Sequence, residues 1–186
     1  EAVAADHEVT AFVRTPGKLT LTAPNLTIVQ GDCTDPDAVA AAAAEAEAVV
    51  SAVGGSGLGP STQITDCVRT IVSAIDGRTP AVRFISMSTV GAGDSGRLLP
   101  LAAKPIQVLL RYAIKDHNRA EAAIMASSLR WTIARCTGLS DHPPRGHVHA
   151  SLDEIKGTSL PRADVAAWIV SQLGSDDYLG QAVALW

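Results

Sequence analysis

No run of about 18 apolar residues occurs in this chain, because Glu45 and Glu47 interrupt the longest Ala/Val stretch, which excludes a spanning helix there. Nor is there a block of Lys or Arg. The 15 cations against 19 carboxylates leave a formal net charge of −4, so neither a nucleic acid nor a membrane surface is an expected partner. Cysteine is scarce: Cys33, Cys67 and Cys136 are widely spaced and odd in number, a pattern expected of reduced thiols in a cytoplasmic protein and not of a disulfide framework. The sequence as given does not open on a signal peptide, which agrees with that expectation. Charged residues are 18% and aromatics 4%, while 47% hydrophobic residues supply enough apolar surface to argue against disorder. The 186 residues suit one globular domain spanning the whole chain, 1–186.

Strand-like and helix-like segments alternate. Residues 7–14 (HEVTAFVR) and 26–30 (LTIVQ) read as strands, the first closed by the Thr15-Pro16-Gly17 turn. An Ala-rich helix is expected over 35–47, a buried strand over 48–53 (AVVSAV), and a glycine cluster at 54–57. Pro60 and Ser61 then open a helix to about Ile75, with Ser61 as its N-cap. A strand over 81–87, a helix over about 104–127 and a strand over 131–135 follow. The chain closes with a short strand near Val148, a helix over about 162–173 and a strand over 182–186. Strands joined through helices of 10–17 residues, and written as unbroken apolar runs, predict a parallel sheet with helices on both faces. The fold class expected is therefore α/β, a Rossmann-like doubly wound parallel sheet.

In such a sheet strand 1 is central, and the glycine-rich turn after it holds a pyrophosphate at a helix N-terminus. Residues 1–5 read as the end of a first helix and 7–14 as strand 2, so strand 1 and its glycine turn are expected upstream of Glu1. A competing register makes 48–53 strand 1 and 54–59 (GGSGLG) its phosphate loop. It fails on spacing, because the G-x-G-x-x-G template counted from Gly55 needs glycine where Pro60 stands. Instead, Val53, Gly54 and Gly55 are expected to let backbone approach a bound ligand.

Arg14 ends the expected strand 2, where an acid would select NAD; a cation accommodates a 2′-phosphate, so NADP(H) is expected over NAD(H). The other reading of Arg14 is a solvated strand-end side chain. Gly31-Asp32 closes strand 3, where Asp32 is placed to accept from an adenine amino group and Cys33 to offer its backbone N–H; a plain turn capping the next helix is the alternative.

Taken in order, HEVTAFVR, TIVQGD, AEAVVSAVG, FISMSTVGAG, SSLRWTIARCTGLSD and RADVAAWIV resemble the atypical short-chain dehydrogenase/reductase group of NAD(P)H-binding oxidoreductases, on the side of its flavin reductases. The resemblance spans essentially the whole chain and implies hydride transfer from NADPH to a small planar acceptor such as a flavin, quinone or tetrapyrrole. It places the hydroxyl at the end of strand 5 on Thr89, with Ser88 beside it, and implies that Cys136, Thr137 and Gly138 face the nicotinamide. The Tyr-x-x-x-Lys pair of ordinary members is absent: Ala113 stands at its Tyr position and His117 at its Lys position. Tyr112 and Lys115 are one residue too close, a rotation of about 100° on a helix. Ser88, Thr89 and His117 are accordingly the catalytic candidates, and a half-buried helix histidine is the other reading of His117. Arg135 is read as a structural residue paired with Glu121 or with another carboxylate nearby. Loss of the Tyr/Lys pair keeps a second function open, an NADP(H)-binding redox sensor without turnover. The group Asp141, His142, His147 and His149 lacks helical presentation and a cysteine ligand, so no metal is expected. The sequence leaves the oligomeric state open.

Overall fold

The structure is a computed structural model and describes residues 1–55 and 57–186. Ser56, inside the glycine cluster, lies outside the described residues. The elements run β1 (Val9–Val13), β2 (Leu26–Gln30), α1 (Pro36–Ala43), β3 (Ala48–Ser51), α2 (Gln63–Ile75), β4 (Arg83–Thr89), α3 (Lys104–Leu109), α4 (Arg111–Met125), β5 (Arg130–Cys136), β6 (Gly138–Ser140), β7 (Ala150–Ser151), β8 (Ser159–Pro161), α5 (Arg162–Ser171) and β9 (Gln181–Leu185).

The main sheet has the order β3-β4-β5-β9-β7, and β3, β4, β5 and β9 run parallel. Its last strand departs from the expected all-parallel sheet: β7 pairs antiparallel with β9, Ala150 against Leu185. A strand of two residues at a sheet edge needs no crossover helix and is free to run either way. β1 and β2 pair parallel in a sheet of their own, and β6 and β8 form a third. No described strand stands between β1 and β3; both line the main cleft instead.

Alternation along the central strands explains the layering. Phe84 and Ile133 point into a core built with Ile64, Val68, Ile71 and Ile75 of α2 and with Ala120 and Ile124 of α4. Their neighbours Ile85 and Ala134 point the other way, against Val165 and Ile169 of α5 and Leu185 of β9. Helices thus cover both faces of the parallel sheet, a Rossmann-like α/β fold.

Two helix boundaries differ from expectation. α2 begins at Gln63, and Ser61 Oγ accepts only from the Gln63 N–H. The stronger cap comes from 52 residues away: Asp116, buried on α4, accepts from the backbone N–H groups of Ile64 and Thr65 at 3.1 and 3.0 Å and from the Thr65 hydroxyl. The helix expected over 104–127 is two helices, broken at Leu110, where φ −89° and ψ 9° leave the α region.

Candidate active site

The C-terminal ends of β4 and β5 deliver Thr89 and Cys136 side by side, since these residues are register partners. Thr89 is half-buried, and its hydroxyl makes only a long contact, 3.3 Å, to the neighbouring Val90 carbonyl, so it is free to bond elsewhere. Ser88 points to the opposite face of the strand and donates to Glu121 Oε1 at 2.6 Å. Its proton is thereby committed within the protein, although Ser88 also lines the main cleft.

Glu121 and Arg135 are each 4% exposed in their side chains and form the buried pair expected from sequence: Arg135 donates to Glu121 at 3.1 Å from Nε and 2.8 Å from Nη2. Its remaining arm reaches Asp94 at 2.6 Å. Burial alone would lower the Arg135 pKa, but its bonds to Glu121 and Asp94 outweigh that and hold it raised. The Asp94 carboxyl is lowered, chiefly by the bond from Arg135. This guanidinium runs directly under Gly93, whose φ of +55° and close approach leave no room for a side chain. With the Asn118 side chain accepting from the Gly93 N–H at 2.7 Å, the network fixes the loop after Thr89.

On α4 and the turn before it, Leu110, Ile114 and His117 line the cleft at helical spacing, while Tyr112 and Lys115 do not reach it. Arg111 lies over the Tyr112 ring, 4.4 Å from its centroid. The His117 pKa is lowered, first by burial, with Glu121 and Asp116 opposing, so the ring is neutral at pH 7. A neutral imidazole offers an N–H or a lone pair but no ready full proton. Cys136, Thr137 and Gly138 complete this end of the cleft. Burial pushes the Cys136 thiol up to about 12, which removes it as a nucleophile. The Thr137 Oγ1 is buried without a hydrogen-bond partner, an orphan acceptor and donor in the cleft wall that a polar ligand group would satisfy.

At the other end, Arg14, Asp32, Cys33, Val53 and Gly54 bound a smaller cavity of about 310 Å³, together with Phe12, Gln63 and Cys67. Asp32 accepts from the backbone N–H and hydroxyl of Thr34 at 2.9 and 2.8 Å, which lower its pKa. The helix cap itself is Asp35, accepting from Asp37 and Ala38. Gly31 abuts the Phe12 ring so closely that a Cβ would collide with it. Cys33, Val53 and Gly54 line both cavities, so the two adjoin along these residues. Gly55 borders neither, its nearest side chain being Ile64.

The expectation of three reduced thiols is corrected here: Cys33 and Cys67 are bonded to one another, and only Cys136 is free. The pair is 34 residues apart in sequence, and packing of α2 against the 31–35 loop brings their Cα atoms to 4.8 Å. The inference of a reducing compartment loses its basis. No helix of the described residues is long and apolar enough to cross a membrane. Among the described residues, no three His, Cys, Asp or Glu side chains gather as a metal set. His149 instead stacks on Trp186, with ring centroids 5.8 Å apart.

The N-terminus of α2, the anion site of the competing register, is occupied by the Asp116 carboxylate. An anionic phosphate placed there would meet a negative charge already using the leading N–H groups.

Residues 1–176 match the model of a family described as NAD(P)H-binding. A reductase of Aspergillus terreus, pytE, is 28% identical, with 99% of this chain and 90% of that protein covered. A protein of Bacillus subtilis named as an uncharacterized sugar epimerase, YhfK, is 30% identical over 90% of this chain and 77% of its own length. Among solved structures, the anaerobilin reductase ChuY of Escherichia coli O157:H7 is 27% identical and superposes with a TM-score of 0.80, covering 99% of this chain and 86% of that one.

Proposed function

The chain belongs to the family of NAD(P)H-binding proteins as an NAD(P)H-dependent reductase, and we propose that it passes hydride from NADPH to a planar acceptor such as a flavin, quinone or tetrapyrrole. One observation carries the reading. The Arg14/Asp32 cavity shares Cys33, Val53 and Gly54 with the main cleft, whose lining also includes Thr89, His117 and Thr137. In this arrangement Arg14 meets the 2′-phosphate and Asp32 the adenine edge. Thr137 and the end of β5 hold the nicotinamide, whose C4 supplies the hydride.

The chain's own contribution is position and electrostatics. The Leu110–Ile114 face, with Leu99 and Ile106 beside it, offers an apolar wall for a flat ring system and keeps water off it. Thr89 donates its free hydroxyl to the acceptor. His117, neutral, donates a ring N–H to the negative charge that develops there. With no tyrosine among the described residues that line the cleft, an acceptor that delocalises charge within its own rings fits better than a simple carbonyl. The test is equilibrium titration of the intact protein with NADPH and NADH. Saturable binding with NADPH the tighter supports the reading, and no binding of either overturns it.

Thr89→Val is expected to lower turnover about tenfold, the value of one lost hydrogen bond of about 1–1.5 kcal/mol, with NADPH affinity unchanged. Unaltered turnover would remove the hydroxyl from the chemistry. The pH profile carries a second expectation. Because the folded-state pKa of His117 is lowered, the neutral ring persists down through the ordinary histidine value of about 6.5. Turnover governed by this residue is then level from high pH down through that value, and an inflection above it would show a proton-donating imidazolium instead. Stability moves the same way: the unfolded chain binds the proton first, so this residue's contribution is complete above about pH 6.5 and is lost as pH falls through the lower folded value.

A further inference from the structure

The Cys33–Cys67 bridge forms part of the wall of the cavity that also holds Asp32 and Gly54. Its two ends are held very differently. Cys67 is fully buried on α2 beside Ile64 and Val68 of the core, and the start of that helix is anchored by Asp116. Cys33 is half-buried on a loop held locally, by the Gly31 N–H on Val13, the Asp35 N–H on Asp32 and the Thr34 contacts to Asp32. Two thiols without a bond between them stand about 3.5–4 Å apart at non-bonded contact. The anchored helix cannot supply that extra room, so the loop must.

We propose that Cys33–Cys67 is a reversible thiol–disulfide site that sets the affinity for the dinucleotide, tight when bridged and weak when reduced. The proposal rests on the placing of adenosine in the Arg14/Asp32 cavity. The co-reactant is a dithiol. One of its thiolates attacks Cys33 Sγ, the reachable sulfur; the bond to Cys67 breaks, and Cys67 leaves as a thiolate and takes up a proton. The second thiolate of the reductant then closes on the first, releasing the Cys33 thiol. Two electrons and two protons reach the protein, and the reductant departs as a disulfide. The freed loop carries Asp32 outward from Gly54. Since the loop meets adenosine and neither the 2′-phosphate nor the nicotinamide, NADPH and NADH weaken by the same factor.

The test titrates the intact protein with both cofactors before and after treatment with dithiothreitol, with thiols counted by alkylation in denaturant. One labelled thiol, Cys136, is expected before treatment and three after. Reduction is expected to weaken both cofactors at least fivefold, the lower end of ordinary coupling between sites. Coupling is reciprocal: a tenfold weakening corresponds to a displacement of about 30 mV in the two-electron potential of the pair when NADPH is bound. The Cys33→Ser/Cys67→Ser variant is expected to bind as the reduced protein does and to ignore dithiothreitol. Equal affinities in both redox states, with NADPH still bound, would overturn the switch and leave the reductase reading intact. Three labelled thiols even after exposure to oxidised glutathione would overturn the bridge itself. Failure of either cofactor to bind in any state would overturn the adenosine site and the switch with it.

Discussion

Glu121→Ala is expected to lower the free energy of unfolding by about 3–5 kcal/mol, the usual cost of breaking a buried ion pair by removing one partner. The substitution strands the Arg135 guanidinium, 4% exposed, with only Asp94 left, whose side chain is 58% exposed. It also strips the Ser88 hydroxyl of its acceptor. Glu121→Gln keeps the one oxygen on which Ser88 and Arg135 Nε converge but turns an amide donor toward Arg135 Nη2, so it is expected to cost less than alanine while still destabilising the protein. Chemical denaturation of the two variants separates the cases, and a loss under about 1 kcal/mol for alanine, the scale of an exposed pair, would show that the charge is not buried as described. The effect reaches the chemistry because Arg135 underlies Gly93, and the loop following Thr89 is fitted to that guanidinium. Turnover of Glu121→Ala should therefore fall even under conditions where the protein remains folded.

Arg14→Ala is expected to weaken NADPH by about 10- to 100-fold, the range of a charge-assisted hydrogen bond to phosphate, and to leave NADH nearly unchanged. Arg14 directly follows β1 and lines the smaller cavity, at the strand end where a doubly wound sheet distinguishes the two dinucleotides. Salt should erode the difference, since an exposed guanidinium is screened over roughly 10 Å at 0.1 M. Titration of both cofactors with wild type and variant measures it. Equal weakening of both would move Arg14 from the 2′-phosphate to a general role in the cavity.

Local patterning carried much of the fold. The run LTIVQ is β2 residue for residue, and the apolar segments FISM and WTIAR lie in neighbouring parallel strands because both of their faces are covered. What local patterning could not carry depends on distant partners. Ser61 has the chemistry of an N-cap, yet Asp116, from another helix, holds the first N–H groups of α2. The break at Leu110 falls in a sequence, VLLRYAI, with no proline or glycine to mark it. β7 is two residues long, too short to show a period.

The candidate site divides in the same way. Strand ends are legible, so Arg14, Asp32, Thr89 and the segment 136–138 could be named from sequence, and each borders one of the two cavities. The Glu121–Arg135 pair was legible as two opposite charges on adjacent elements. Ser88 and Thr89 look alike in sequence, and only strand alternation decides that one hydroxyl turns inward to Glu121 while the other remains free. The Cys33–Cys67 bridge had no signal in the spacing, because α2 must first pack before the two sulfurs meet.

The most direct measurement mixes the intact protein with NADPH and one equivalent of flavin in the absence of oxygen, following loss of NADPH absorbance and appearance of reduced flavin together. The expected result is one flavin reduced for each NADPH consumed, with the rate lowered in Thr89→Val. NADPH bound tightly but left unoxidised by flavin, by a quinone and by a tetrapyrrole would contradict hydride transfer to a planar acceptor and identify a dinucleotide sensor instead.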